Sequence, residues 1–532
     1  MTPPRPTLEE ARTRLRELGY LDAGVERMLF RSVFEGRGGA FLPAVLIGAL
    51  AAALAAVGSV EASEPGFGAS LSAVAALFVS VFVADLAPAG LLALGLGWLA
   101  DRSSRPGLAA TAAGLAAAAG VFALWIAGTY GLAREFSPHS LLWGVPVTVA
   151  ALVLAAAVRL GFLARAFARS GSLPRGAARR VFAAAAAAGL VTALLLLASR
   201  REAPAAQAPH VSPRKRPIVV LAVDGLDLDG PGRPPEAARL LAAGATGWWP
   251  AETLSPPQVW TDLATGEAAA RHGVRALARV RPLGSPVALR PPFGTSWALR
   301  RVGPALGLVA NAPVSGADRR RLDFWEVSAS AGIPSLSVGW WAAAPWPGAT
   351  VVENRAVLGR SRNGADADRV AIAIFDDALR TGYGLATVYL PGCDIARDDA
   401  AARAGAVATI ETLLAQWIAR AAQGECALVV LAADSHTRTA GALGRMIVFD
   451  AGAAAPIIRI RPEDAAPSIL ARAGVPAARD LGGGPVAALF APGSLETATV
   501  ATYGPRVVPV AASAPESDRE YLEKLRSLGY LK

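Results

Sequence analysis

The sequence predicts an α-helical membrane bundle joined to an α/β domain with a mainly parallel central sheet. Three observations carry that expectation. Long apolar runs crowd the first two hundred residues, a Pro/Ala-rich linker follows, and beyond it short apolar strands alternate with helices. With 532 residues, of which 53% are hydrophobic, the chain is too long for one ordinary domain and too apolar for a purely soluble one.

The apolar runs lie at about 41–60, 71–100, 108–133, 141–158 and 181–198. Each approaches or exceeds the ~18 to 20 residues that span hydrocarbon, so about five transmembrane helices are expected. The second run holds Asp85 and Pro88 and is long enough to be either one kinked helix or two short segments. Apart from Asp85 the runs are rich in Ala, Leu and Gly, which suits an anchor better than a transport pathway.

Orientation follows from the flanking charges. Residues 1–39 hold seven arginines, the second connection holds Arg102 and Arg105, and the fourth holds six more between Arg159 and Arg180. The first connection, EASEPGFGAS, has no basic residue and the third, REFSPHS, has one. The positive-inside rule then puts the N-terminus in the cytoplasm, and an odd number of spans puts the C-terminal domain in the periplasm or outside the cell. The net charge of +10 is carried almost wholly by arginine, with lysine only at 215, 524 and 532, and no basic run is interleaved with aromatics. No nucleic-acid partner is expected.

The expected organisation is a cytoplasmic segment over 1–39, a membrane region over 40–200, a linker over 201–216, the α/β domain over 217–495 and a tail over 496–532. The two ends of the chain share a motif, LRELGYL at 15–21 and LRSLGYL at 525–531. Thr7-Leu-Glu-Glu10 and Ser517-Asp-Arg-Glu520 predict capping boxes ahead of short helices, with Gly19 and Gly529 as left-handed caps.

Within the domain, strands are expected at 218–223, 335–339, 385–390, 427–432 and 446–449. Helices are expected at 235–243, 320–331, 366–381, 402–422 and 464–473. Ligands of such sheets bind beyond the carboxyl ends of the strands. Asp224 closes one strand in AVDGLD, Asp394 follows another in YLPGCDIARDD, and Asp434 follows a third in VVLAADSHT. Three carboxylates at one edge point either to a divalent cation or to helix caps and turns. The two cysteines, Cys393 and Cys426, should lie at opposite edges of a parallel sheet and stay unpaired.

Several segments, in order, resemble the alkaline phosphatase superfamily, and its type I phosphodiesterase/nucleotide pyrophosphatase (sulfatase-like) branch in particular. They are IVVLAVDGLD with PEAARLLAAGATG, then VWTDLATGEAAARHGV, then LDFWEVSASAGIPSLSVGWWAAAPWPGATVVENR, and finally DAAPSILARAGVPAARDLGGGPVAALF. The resemblance covers about 216–492. It implies two metal ions, usually zinc, that activate a Ser or Thr hydroxyl against a phosphate or sulfate ester.

Under that resemblance Asp224 and Asp394 match the first two ligand positions and Asp434 matches the Asp of an Asp-His step. Asp398 stands where the family has a histidine, His436 falls one place late, and no histidine lies between Gly441 and Val448. A family-type two-zinc site needs about three imidazoles. An oxygen-rich set could instead hold Mg, Mn or Ca, or the site could hold no metal. Ten residues before Gly266, at the family's nucleophile position, stands Pro256. Ser255 is the candidate nucleophile one step earlier, with Thr253 and Thr261 as weaker ones.

Two functions are compatible with these residues. One is a membrane-anchored domain with a degenerate metal centre and a binding or scaffold role. The other is an active metal-dependent phosphoesterase or phospho-group transferase acting on phosphodiester or lipid-linked substrates.

Overall fold

The computed structural model describes residues 41–63, 71–102, 106–133, 144–170, 211, 216–226, 228, 242, 244–250, 254–283, 303–434, 443–450, 452–453, 456–506 and 515–531. The chain forms two compact units, one of residues 1–201 with 280–310 and one of residues 202–279 with 311–532. The second unit therefore takes in the C-terminal tail.

In the first unit four helices are described: α1 (Leu42–Ser63), α2 (Leu71–Arg102), α3 (Pro106–Ala133) and α4 (Gly144–Ser170). Helix α2 runs unbroken through Asp85 and Pro88. Small residues let the helices approach closely: a Cβ on Gly114 of α3 would lie 2.8 Å from the Ala155 carbonyl oxygen of α4. Leu91, Leu92, Leu108, Leu115 and Leu152 face outward with more than 60% of their surface exposed. Among the described residues one helical stretch, Val74–Leu99, is long and apolar enough to cross a bilayer, and Ala44–Val60, Leu108–Ala123 and Val147–Phe162 are shorter apolar stretches. The fifth run, 181–198, and the motif at 15–21 lie outside the described residues.

The second unit is built on an eight-stranded sheet. Its strands are β1 (Ile218–Asp224), β2 (Ala245–Pro250), β3 (Ser335–Val338), β4 (Ala349–Val352), β5 (Leu385–Leu390), β6 (Ala427–Ala433), β7 (Leu443–Phe449) and β8 (Ile457–Arg459). Their order is β8-β2-β7-β6-β1-β5-β3-β4. Only β7 pairs antiparallel with its neighbours β2 and β6, so the sheet is mostly parallel as expected. The central strands β1, β5 and β6 are buried along their whole length, which explains their unbroken apolar runs.

Alternate strand residues feed two cores. Val219, Leu221 and Val223 pack with Phe375 of α8 (Gly364–Leu379) and with Ile410, Leu413 and Trp417 of α9 (Ala400–Ala422). Ile218, Val220 and Ala222 face the other side. That layer holds α5 (Pro256–Thr265), α6 (Phe324–Ser330), α10 (Ala465–Ala473) and α11 (Pro515–Ser527), while α7 (Asn354–Arg360) lies at its margin. The expected helix at 235–243 lies mostly outside the described residues. Helix α11 starts at Pro515, two positions before the expected capping box, and Gly529 takes the left-handed conformation foreseen for it, with φ of 82°.

Candidate functional site

Parallel pairing brings the three carboxylates to one edge of the sheet. Val223 is level with Leu390 of β5, and Asp224 with Ala433 of β6. Asp394 sits in a single helical turn, Gly392–Ile395, just after β5, and Asp434 directly follows β6. Asp224 and Asp394 are almost wholly buried and Asp434 is half-buried. The backbone of Gly225, with φ of 76°, runs close to Asp394, since a Cβ there would lie 2.7 Å from the Asp394 nitrogen. A side chain at 225 would both strain the backbone and drive the two aspartates apart.

Asp224 is held by hydrogen-bond donors from two other elements. Trp260 of α5 donates its indole N–H to Asp224 Oδ2 at 2.8 Å, and Tyr389 of β5 donates its hydroxyl to the same oxygen at 2.8 Å. Trp341 in turn donates its indole N–H to the Tyr389 hydroxyl at 2.9 Å. Each donor fixes the next, and in a buried setting such chains strengthen one another. Burial and the charge of Asp224 push the Tyr389 hydroxyl well above the ordinary tyrosine range, so it stays protonated and donating. Arg397 lies beside Asp394, 3.0 Å from its carbonyl oxygen and 3.5 Å from Oδ1.

The remaining candidates take other positions. Asp398 points to solvent with its side chain 95% exposed, 3.8 Å from Arg397, while its neighbour Asp399 caps α9 by accepting from Ala402 N–H at 3.0 Å. Ser255 is the N-cap residue of α5, but its hydroxyl accepts no N–H from the helix and donates instead to the Arg275 carbonyl at 2.8 Å. Pro256, at the expected nucleophile position, opens the helix, where a missing N–H costs nothing. His272 is buried, with Nε2 2.5 Å from Asp262 Oδ1 and Nδ1 accepting from Val274 N–H at 3.1 Å. His436 and Thr253 lie outside the described residues.

Among the described residues no group of three or more His, Cys, Asp or Glu side chains could hold a metal ion. Asp398 is turned outward, and Asp224 Oδ2 accepts from two donors. The arrangement is a buried carboxylate site in which Asp224 is held by side-chain donors.

Its walls are residues that sequence patterns did not single out. Trp260 packs 5.1 Å from Tyr389 and 5.8 Å from Trp340, and Tyr530 from the chain's end packs edge-on against Trp341 at 5.4 Å. Tyr389, a polar-tipped residue in a strand buried along its whole length, was the available signal.

Fold and site together define a class: an α/β domain with a mostly parallel sheet and carboxylates at the carboxyl edge of its central strands. No protein-family model matches the chain, and no curated protein matches it. Three solved structures are distant likenesses. Murine ectonucleotide pyrophosphatase/phosphodiesterase 5 is 14% identical over 41% of this chain and 57% of its own, with a TM-score of 0.28. The phosphonate monoester hydrolase SpPMH from Silicibacter pomeroyi is 14% identical over 53% of this chain and 78% of its own, with a TM-score of 0.30. The PH0037 protein from Pyrococcus horikoshii is 11% identical over 48% of this chain and 96% of its own, with a TM-score of 0.29. The chain thus spans little more than half of the murine protein's length, and at these scores the likenesses identify nothing further.

Proposed function

We propose that the chain is a membrane-anchored, extracytoplasmic member of the alkaline phosphatase/type I phosphodiesterase group whose metal centre has degenerated, leaving a binding or scaffold role. The ordered family-like segments and the mostly parallel sheet support the group. The observation that carries the loss of chemistry is Asp224 itself. The carboxylate at the first ligand position accepts from Trp260 and Tyr389 instead of standing open to an ion. The anchor rests on the apolar stretch Val74–Leu99 and on the outward leucines of α2, α3 and α4. The membrane is then its partner, and no nucleic-acid role is proposed.

The convergence of Asp224, Asp394 and Asp434 at one sheet edge favours a second reading, an active phosphoesterase or phospho-group transferase acting on phosphodiester or lipid-linked substrates with Ser255 as nucleophile. Detergent-purified full-length chain assayed on bis(p-nitrophenyl) phosphate with Zn, Mg, Mn or Ca separates the two. The degenerate-centre reading expects no turnover above that of Asp224→Ala, whereas metal-dependent turnover lost in that variant supports the second.

A further inference from the structure

The tail segment that carries LRSLGYL packs against the Asp224/Asp394 site just described. One stripe of α11 is buried, formed by Asp518, Tyr521, Leu522, Leu525 and Leu528. Polar contacts fix its register. Arg355 donates to Ser517 Oγ at 2.8 Å and to Asp518 Oδ1 at 2.6 Å, Tyr521 donates its hydroxyl to Asn354 Oδ1 at 2.9 Å, and Lys524 donates to the Ser361 carbonyl. The helix then stops at Gly529, and Tyr530 N–H donates back to the Leu525 carbonyl at 2.9 Å.

That turn carries Tyr530 inward. Its ring meets Trp341 at 5.4 Å, and its hydroxyl faces Asp394 and Tyr389. Arg397 ties the tail to the site directly, donating to the Gly529 carbonyl at 3.1 Å with one nitrogen and to the Asp394 carbonyl at 3.0 Å with another. Aligned on the shared ending, the other copy of the motif keeps Leu15 and Leu18 where the tail has Leu525 and Leu528, but has Leu8, Ala11 and Arg12 where α11 has Asp518, Tyr521 and Leu522.

We infer that residues 515–531 are an intramolecular plug, with Tyr530 as the stopper that closes the Asp224/Asp394 pocket to outside ligands. The inference rests on the binding role proposed above and adds its regulation: the pocket recognises a phenol-bearing segment, and a ligand gains entry when that segment leaves.

Carboxylate labelling of the full-length chain with a water-soluble carbodiimide and glycine ethyl ester, mapped by peptide mass spectrometry, tests it. Asp394 should be protected in the native chain and labelled roughly tenfold more in Tyr530→Ala, where the stopper is lost. Gly529→Ala keeps the ring but strains the turn that aims it, and should expose Asp394 too. Near-UV circular dichroism identifies the variants that remain folded. Added p-cresol, the tyrosine side chain as a free molecule, should restore protection in Tyr530→Ala, and toluene should do so less. Labelling of Asp394 in the unaltered chain, no gain in either folded variant, or no rescue by p-cresol would each overturn the plug. Metal-dependent hydrolysis by the unaltered chain would instead overturn the degenerate-centre reading, whatever the labelling shows.

Discussion

The indole N–H of Trp260 donates to the Asp224 carboxylate at 2.8 Å, joining helix α5 to the end of the central strand. Both residues are fully buried. Replacing Trp260 by Phe keeps a ring in the core but leaves a buried carboxylate short of one donor. We expect a loss of about 1 to 3 kcal/mol, read from denaturant unfolding of the purified chain. Tyr389→Phe should cost a similar amount, and the double variant should depart from the sum, because both donors share one oxygen.

Asp368 predicts a pH dependence. It is fully buried, and burial raises its carboxyl to about 8 despite the Gly392 N–H it accepts at 2.8 Å. Since the unfolded pKa is near 3.8, the folded state holds the extra proton between those values. This group therefore lowers stability as pH rises from about 4 to about 8. Asp368→Asn should flatten that part of the melting-temperature profile and stabilise the chain most at alkaline pH.

The thiols should be inert. Cys393 and Cys426 are free and buried, and burial pushes them up to about 12 and about 11. At pH 8 a thiol-disulfide reagent should release no chromophore from the native chain and two equivalents after denaturation.

Gly225 combines a positive φ with a close approach to the Asp394 backbone. Gly225→Ala meets both a positive φ and the Asp394 backbone, so a loss of several kcal/mol is expected, visible as poor expression or a much lowered melting temperature. By contrast Ser255→Ala removes a single hydrogen bond to Arg275 and should cost about 1 kcal/mol.

How legible these features were varied with their physical origin. The central strands β1, β5 and β6 stood out because full burial writes itself as an apolar run, and the left-handed Gly529 because few other residues tolerate that conformation. Strands β2, β4 and β8 did not stand out. β4 and β8 are short and form the sheet's edges, and β2 reads as a turn until β7 and β8 pair with it. Asp224 and Asp394 were visible at strand ends. Their partners were not, because Trp260, Trp341, Tyr389 and Tyr530 converge from four distant segments and no spacing rule links them. Asp398 shows the converse: the family resemblance puts it at a ligand position, while ahead of α9 its side chain lies in solvent.

Whether side-chain donors have replaced chemistry at Asp224 is decided by phosphodiester turnover of the full-length chain across added Zn, Mg, Mn and Ca. The rate should be indistinguishable from that of Asp224→Ala under every metal. Metal-dependent turnover that disappears in Asp224→Ala would contradict that replacement.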